Sequence, residues 1–483
     1  MFCVTVQLNN LCLHHLMKTK LQYLFVIVII SIIVFGATGC ANIIPPTGGP
    51  RDSLPPVLVS ATPPDSSRNV KPNRIVLAFN EYVDQLQDVT QNVIISPTLP
   101  NIPTITSRLR TVTIRLTDTL EPNTTYSINF GKAIRDVNEG NVLEDFTYIF
   151  STGSTIDANT LSGKVILAET GKIDSTLIAV LHQNLEDSAI IKQRPRYYTK
   201  LDSSGNFTFN NLPAAQFAVY VVQGENNYLK RYDDSTQLFA FLNSPVNATA
   251  NPSPVTLYAY REAKRKATVT SGGSSGTNTR NQDRRLRYSN AEGSNKDVLT
   301  PLHLDFNRKL KTFDSSKFIL ADTNFNRITD YRTMLDSNST RVTIQHAWSL
   351  SGIYKLIIQK DAVADAEGVT LTKADTLTLR ANDAEDYGQV RLRFNNIDLT
   401  KNPVLQIVQN DVVIDSVVLT GREWRRNLFK PGEYDLRILF DANKNGTWDP
   451  GNFKLKKQPE IVQSLPRKIS IRANWENEVD INL

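Results

Sequence analysis

The chain has 483 residues, 40% of them apolar and 21% charged, which is enough for several domains that each bury a core of their own. Its cysteines, Cys3, Cys12 and Cys40, all lie at the N-terminal end. Nothing beyond Cys40 can therefore form a disulfide, which excludes a small scaffold held together by disulfide bridges.

The net charge of +6 is concentrated in one short stretch. Between Arg261 and Arg287 there are eight basic residues and two acidic ones, an excess equal to that of the whole chain. The stretch is rich in Gly, Ser, Thr and Asn, which is typical of a solvated linker, although contact with an acidic polymer or a membrane surface is the alternative. Apart from Tyr288 it lacks the stacking aromatic residues of nucleic-acid binders, so we expect no nucleic-acid partner.

An export signal precedes the body of the chain. Two lysines stand before an apolar run over 24–35, and small residues then lead to Cys40. The run is too short for a transmembrane helix, which needs about 20 apolar residues. Because residues 1–16 carry no Lys or Arg and stand upstream of a complete signal, we expect translation to start at Met17.

The residues around Cys40 indicate how the exported chain is held. The string A-T-G-C at 37–40 resembles the lipobox of bacterial lipoproteins, which implies a signal peptide over 1–40, cleavage before Cys40 and acylation of its thiol and new amine. The alternative is a coincidental cysteine after an ordinary signal peptide. Residues 41–55 are rich in Pro and Gly and form a tether. Residue 42 is Asn rather than the Asp that keeps similar lipoproteins in the inner membrane. By this analogy we expect a lipid-anchored protein of the cell envelope, in the outer membrane and facing the periplasm.

The rest of the chain predicts an all-β fold. Segments such as RIVLAFN at 74–80, TVTIRL at 111–116 and TYSINF at 125–130 carry β-branched and apolar residues in near-alternation. Turn signals separate such segments every 8–12 residues or so, which is typical of β-sandwiches.

An internal repeat predicts four domains. Phe79-Asn80 recurs as Phe306-Asn307, and three further pairs keep nearly the same spacing: Val112-Thr113-Ile114 with Val342-Thr343-Ile344, Tyr126 with Tyr354, and Gly140 with Gly368. The intervening segments also match, since Ser162-Gly163 corresponds to Tyr387-Gly388. We therefore predict tandem sandwiches in the order A-B-A′-B′, at 56–154 (domain A), 158–260 (domain B), 284–381 (domain A′) and 387–483 (domain B′). A basic linker over 261–283 joins the two halves, and we expect Ala267–Asn281 to be a mobile joint.

Two family resemblances accompany these domains. Domain A contains PPVLVSATPPDSS, IVLAFNEYVD and YIFSTG and resembles the S-layer-type bacterial Ig-like domain, and A′ keeps LHLDFNRKL and AVADAEG in degenerate form. Domains B and B′ resemble transthyretin-like modules related to carboxypeptidase regulatory domains, through LSGKV, LDSSGNFTFNNLPAAQFAVYVV and FKPGEYDLRILFDANKNGTWDPGN. The resemblances imply a fold and a compartment more than an activity.

No residues in the body of the chain predict a catalytic centre. His182, His303 and His346 belong to no ligand spacing. The string GGSSG at 272–276 matches G-x-S-x-G, but it lies in the linker rather than between a strand and a helix. We expect neither a catalytic residue nor a bound organic cofactor, and therefore no enzyme.

One loop predicts a weak Ca²⁺ site. Oxygen-bearing side chains alternate along it, at Asp441, Asn443, Asn445, Thr447 and Asp449. This resembles the first half of an EF-hand loop, but Asn452 stands where that loop has a bidentate Glu, so we expect a Kd of about 10⁻⁴–10⁻³ M. The alternative is a plain Asn/Asp/Gly turn, which is favoured by the loss of most ligands from the matching stretch of domain B, Gln223–Asp234.

Together these patterns predict a lipid-anchored envelope protein with a structural or interaction role and a protein or glycan partner in the cell envelope. The alternative is a ligand-binding module for envelope glycans or secreted proteins.

Overall fold

The computed structural model describes residues 51–83, 86–225, 227–249, 252–263 and 285–483. The signal, Cys40 and the predicted joint Ala267–Asn281 lie outside these ranges. The described residues form 33 strands, two four-residue helices and three 3₁₀ turns, so the all-β prediction is confirmed. No helix among them is both long and apolar enough to cross a membrane.

Domain A consists of two sheets around one apolar core. Buried residues alternate along its strands, as Ile75 and Leu77 do in the second strand, because successive side chains point to opposite faces. One sheet has the order β1-β2-β5-β4 and the other β3-β6-β7. The elements are β1 (Leu58–Thr62), β2 (Arg74–Phe79), helix α1 (Val89–Asn92), β3 (Ile94–Ser96), β4 (Thr104–Arg108), β5 (Thr111–Arg115), β6 (Thr125–Asn129) and β7 (Thr147–Ser151).

Domain B is also a two-sheet sandwich, with the orders β10-β9-β12-β13 and β11-β8-β15. Short β14 pairs with β12, and β15 runs parallel to β8. The elements are β8 (Asn159–Leu167), β9 (Leu177–His182), helix α2 (Ala189–Lys192), β10 (Tyr197–Lys200), β11 (Asn206–Leu212), β12 (Gln216–Gln223), β13 (Phe239–Phe241), β14 (Val246–Asn247) and β15 (Val255–Ala259).

Domain A′ repeats the first sheet of domain A strand for strand, in the order β16-β18-β22-β21. The second sheet has the order β17-β25-β23-β20, and β19 pairs with β24. The strands are β16 (Tyr288–Ser289), β17 (Asn295–Lys296), β18 (Leu302–Phe306), β19 (Leu310–Phe313), β20 (Phe318–Ala321), β21 (Tyr331–Leu335), β22 (Arg341–His346), β23 (Ile353–Ile358), β24 (Val363–Asp365) and β25 (Asp375–Ala381), with a 3₁₀ turn at Ser315–Lys317.

Domain B′ has the topology of domain B, with the orders β28-β27-β30-β31 and β29-β26-β33, and β32 pairs with β30. The strands are β26 (Gly388–Asn395), β27 (Pro403–Gln409), β28 (Val412–Val418), β29 (Glu423–Phe429), β30 (Gly432–Phe440), β31 (Ile461–Ser464), β32 (Ile469–Ile471) and β33 (Glu476–Asn482). Two 3₁₀ turns lie at Ala384–Asp386 and Leu399–Lys401.

Residues that recur in the sequence occupy equivalent positions in domains A and A′. The hydroxyl of Tyr126 accepts a hydrogen bond from Glu121 N at 2.9 Å, and that of Tyr354 accepts one from Ser349 N at 2.8 Å. Each tyrosine thus fixes the backbone five residues upstream of itself, in the manner of the tyrosine corner of immunoglobulin-like sandwiches. The repeated residues therefore hold the same corner of the fold in both domains.

Candidate functional site

The loop after β30 is organised from within by Asp441. This side chain is only 1% exposed, and its Oδ2 accepts a hydrogen bond from Gly446 N at 2.6 Å. Its Oδ1 accepts a longer one from Asn445 N at 3.3 Å. Gly446 has a φ of 77°, which an L-residue adopts at a cost, so a glycine suits this turn.

The other predicted ligands lie in the same loop and bond to one another. Asn443 and Asn445 both donate from their amide groups to Oδ2 of Asp449, the latter at 3.0 Å. The hydroxyl of Thr447 donates to Oδ1 of Asn445 at 2.9 Å. The structure thus brings all five predicted residues together, in a pattern that a self-satisfied turn also explains.

Glu460, which immediately precedes β31, adds a third carboxylate that we did not predict. It is 8% exposed, and its oxygens accept hydrogen bonds from Ala442 N at 2.9 Å and Asp449 N at 3.1 Å. Within the described ranges, no group of three or more His, Cys, Asp or Glu side chains has the arrangement of a metal site. The Ca²⁺ site therefore stays a prediction, with Asp441 and Asp449 as its carboxylates.

The loop also carries aromatic side chains into domain B. The ring of Phe453 is 4% exposed and lies edge-on to four rings of domain B. The nearest three have centroid distances of 5.0 Å for Phe239, 5.2 Å for Phe241 and 5.9 Å for Tyr220. Tyr232 stacks on Phe239 at 4.1 Å and closes the cluster. Edge-to-face packing at these distances is favourable beyond the burial of area. Phe453 is therefore an apolar anchor between two domains.

Polar contacts surround this anchor. Phe453 N donates to Oε1 of Glu262 at 2.7 Å, and Lys456 forms an ion pair with Asp187 of domain B. Gln458 donates to the carbonyl of Phe241 at 3.1 Å. An apolar centre with a hydrogen-bonded rim is the arrangement of a specific protein interface.

The two domains also approach closely through their backbones. Val462 N in β31 donates to the carbonyl of Ala168 at 2.9 Å. A Cβ atom on Gly171 would lie 2.5 Å from Ser464 N, and one on Gly451 would lie 2.6 Å from the ring of Tyr260. Both positions accept only glycine without a shift of their neighbours. Domains B and B′ are thus joined directly, although the linker and domain A′ separate them in sequence.

Domains A and A′ each contact the sandwich that follows in sequence. Arg196 forms a two-pronged ion pair with Glu121, at 2.6 and 3.1 Å, and its hydrogen bonds hold the pKa of Glu121 below its usual value. In the second half, the hydroxyl of Tyr387 donates to Asp297 at 2.7 Å and accepts from Val298 N at 2.8 Å. The contacts therefore run from A to B, from B to B′ and from B′ to A′.

We did not predict the B–B′ interface, but the sequence contained a signal for it. All six residues of β9, LIAVLH, are buried, and the first six of β27, PVLQIV, are buried as well. A continuous buried run indicates a strand covered on both faces, whereas a one-sided sheet alternates. Phe453 itself lies outside the strands, where periodicity gives no information.

The three histidines of the body of the chain each pack or bond within their own domain. His182 is buried on the face of β9 that meets the aromatic cluster, and burial lowers its pKa to about 4. Nδ1 of His303 lies 3.0 Å from the hydroxyl of Thr343. The ring of His346 packs edge-on against Trp348 at 5.1 Å. These three histidines lie in different environments and do not form a common site.

Residues 52–152 match the family model of the bacterial Ig-like domain. The resemblance of domain A to the bacterial Ig-like domain is therefore confirmed. The match covers domain A and stops before β8. A search of the curated proteins finds no match to this chain.

Several solved structures resemble the chain distantly. The TIE protein of Bacillus anthracis is 10% identical, with 90% of this chain and 75% of that one covered and a TM-score of 0.17. The N-terminal part of the bacterial S-layer protein SbsC is 16% identical over 36% of this chain and 42% of that one, with a TM-score of 0.16. BcpA, the major pilin subunit of Bacillus cereus, is 12% identical over 67% of this chain and 99% of that one, with a TM-score of 0.15. These similarities are too distant to bear on function.

Proposed function

We propose that this protein is a lipid-anchored, non-catalytic structural protein of the bacterial cell envelope, which holds its sandwich domains in a fixed arrangement for a protein or glycan partner. The observation that supports this most is the B–B′ interface. A buried aromatic anchor, a hydrogen-bonded rim and two close glycine contacts stabilise one relative position of the domains. A chain that only linked independent modules would not require such an interface.

The anchor belongs to this proposal through Cys40 and the residues that follow it. Only residues 41–50 separate Cys40 from the first described residue, Arg51. Eleven residue steps span at most about 40 Å when fully extended. Acylation of Cys40 would therefore keep domain A next to the membrane. Because residue 42 is Asn rather than Asp, we propose that this is the outer membrane and that the domains face the periplasm.

We propose no catalytic role because the buried carboxylates already accept hydrogen bonds from the protein itself. Asp441 and Glu460 accept hydrogen bonds from the backbone of their own loop, and Asp297 accepts from Tyr387 at a domain junction. General acids and bases need a partner in a substrate, whereas these buried groups already have partners in the protein. Their arrangement suits a scaffold.

Fractionation of cells tests the anchor. We expect the wild-type protein to sediment with membranes after a high-salt wash and to be released by detergent. Cys40→Ser should be soluble, because without the thiol no diacylglyceryl group can attach, and two or more acyl chains give lasting attachment. A Cys40→Ser protein that still sediments after the wash would contradict the proposal.

A further inference from the structure

One end of domain A displays five apolar side chains. Leu54, Val57, Tyr82, Leu109 and Val137 are between 46% exposed, for Tyr82, and 67% exposed, for Leu54. We call this surface the anchor-proximal pole. Single exposed apolar residues are ordinary on a protein surface, but a group of them marks an interaction site.

Backbone hydrogen bonds hold the segments of Val57, Tyr82, Leu109 and Val137 together. Val83 N donates to the carbonyl of Leu109 at 2.8 Å, and Val137 N donates to that of Tyr82 at 2.9 Å. Asn80 N donates to the carbonyl of Val57 at 3.1 Å. Three loops and the entering chain thus meet at one end of the sandwich.

The tether from Cys40 enters at this same end. The guanidinium of Arg51 donates to the carbonyl of Glu139 at 3.1 Å, and the amide of Asn141 donates to the carbonyl of Asp52 at 3.1 Å. Eleven residue steps separate Cys40 from Arg51, and they span at most about 40 Å when fully extended. Lipid on Cys40 would therefore bring a bilayer within reach of the pole.

Domain A′ provides an internal comparison, because the same hydrogen bonds recur there. Leu310 N donates to the carbonyl of Ser339 at 2.7 Å, as Val83 N does to that of Leu109. Arg287 N donates to Oδ1 of Asn307 at 2.9 Å, as Val57 N does to that of Asn80 at 2.6 Å. The two ends can therefore be compared residue by residue.

Four of the five apolar residues of the pole, all except Leu54, have polar or small equivalents in domain A′. The hydrogen bonds pair Val57 with Arg287 and Leu109 with Ser339. They also pair Val83 with Leu310, so Tyr82 and Lys309, each one residue earlier, correspond as well. Val137 follows Asp136 as Ala366 follows Asp365. The equivalent positions are Val57 and Arg287, Tyr82 and Lys309, Leu109 and Ser339, and Val137 and Ala366. The fold itself therefore does not require apolar residues here.

Leu109 shows the difference most clearly. It stands at the tip of the turn between β4 and β5 with a φ of 54°, and Ser339 has a φ of 58° at the equivalent turn. Polar or glycine residues are usual in this left-handed conformation, and a large apolar residue adopts it at a cost. An exposed leucine in this conformation therefore suggests a role for its side chain at the surface.

Charged residues of both signs flank the pole, so no single sign of charge marks its partner. Among them are Arg51, Arg108 and Arg110, and Asp52, Glu81 and Glu139. Tyr82 has the guanidinium of Arg110 over its ring at 4.9 Å. Tyrosine with apolar neighbours is typical of the membrane–water interface, where the ring is half-immersed and the hydroxyl stays hydrated.

We propose that the anchor-proximal pole of domain A rests on the lipid surface to which Cys40 is attached, with Leu109 and Tyr82 at its centre. This inference rests on the lipid anchor in the proposed function. The contacts to domain B lie at the other end of domain A, at Thr98 and Glu121, so the remaining domains extend away from the membrane. Five side chains give weak binding by themselves, and the tether makes the contact effectively intramolecular.

Site-directed fluorescence on the acylated protein tests this contact. Because no cysteine follows Cys40, whose thiol is acylated, Arg108→Cys and Ile102→Cys each give one reactive thiol, at opposite ends of β4. The proteins are reconstituted into vesicles of phosphatidylethanolamine and phosphatidylglycerol that contain a headgroup quencher. We expect quenching of the probe at 108 to be at least threefold stronger than at 102.

The residues of domain A′ supply the matched variant. Val57→Arg, Tyr82→Lys, Leu109→Ser and Val137→Ala together should reduce quenching at 108 to the level at 102, while Ile102→Ser should change nothing. Unchanged quenching in the fourfold variant, or equal quenching at both positions in the wild type, would overturn the inference. Failure of the protein to float with the vesicles would instead contradict the lipid anchor, so the two proposals fail in distinguishable ways.

Discussion

The ring of Phe453 in domain B′ lies 5.0 Å from the ring of Phe239 in domain B, in the opposite half of the chain. A polar rim surrounds this contact, and the paired domains share one buried apolar cluster. This contact holds the two halves of the chain in one relative position. Mutation of Phe453 can therefore test the interface.

Cleavage of the linker should not separate the two halves. We expect that a sequence-specific protease site in place of 272–276 can be cut and that the halves still co-elute in size-exclusion chromatography. Phe453→Ala should then release them, because truncation of a buried interface anchor costs about 2–4 kcal/mol, or 30-fold or more in Kd. Leu455→Ala is the control, since Leu455 is 76% exposed in the same loop. Halves that separate in the wild type would show that the interface is not stable.

Gly451→Ala should weaken the same interface by steric conflict. The added Cβ would lie 2.6 Å from the ring of Tyr260 and 2.8 Å from the carbonyl of Lys457, so one of them must move. We expect a loss of about 1–3 kcal/mol in the association of the cut halves, measured by titration calorimetry. Gly421→Ala is a matched control because its Cβ would meet nothing within 4 Å. Equal affinities for the two variants would argue against close packing at Gly451.

Calcium should stabilise the protein weakly through the Asp441–Asp449 loop. With a Kd near 1 mM, about 10 mM Ca²⁺ would add about 1.4 kcal/mol to the free energy of unfolding, because only the folded loop binds the ion. Mg²⁺ should do less, since it holds its waters and demands octahedral geometry. The measurement is the calcium dependence of the unfolding temperature of the soluble Cys40→Ser protein.

Variants of two loop residues distinguish the hypothesis of a metal site from that of a plain turn. Asp449→Asn should abolish the response to calcium, because it removes a carboxylate while keeping a side chain of the same shape. Asp441→Ala should lower stability even in a chelator, because Gly446 N and Asn445 N lose their acceptor. Equal effects of Ca²⁺ and Mg²⁺ on the wild type would show that Asp441–Asp449 is a plain turn rather than a metal site.

Acid should destabilise the protein through His182. Burial lowers the pKa of this histidine to about 4 in the folded state, against about 6.5 in an unfolded chain, so the unfolded state binds more protons between these values. Neutral His182 makes its full contribution to the free energy of unfolding above pH 6.5. That contribution, about 3 kcal/mol, is lost as the pH falls towards 4. His182→Phe should flatten this part of the stability profile measured by urea unfolding. An unchanged profile would assign the acid sensitivity to other groups.

Much of the fold could be predicted from local sequence patterns. Packing between segments that are distant in sequence could not. Alternation in β2 and β5 places Ile75 and Val112 inside domain A, and the repeat places Tyr126 and Tyr354 at equivalent corners. The loop at Asp441 could be recognised because its residues are close in sequence. Glu460 was missed because it reaches that loop from the far side of an irregular segment. Phe453 was missed because its partners lie in another domain, and no local period reports on them.

Because domains B and B′ contact each other directly, their relative position does not depend on the length of the linker. If Cys40 is acylated as proposed, a load applied between it and domain B′ would pass through domains A, B and B′, because domain B contacts domain B′ directly. Domain A′ would then lie outside the path of that load. Insertions or deletions in the linker should therefore leave the relative position of domains B and B′ unchanged, so this segment can vary in sequence while the scaffold keeps its dimensions.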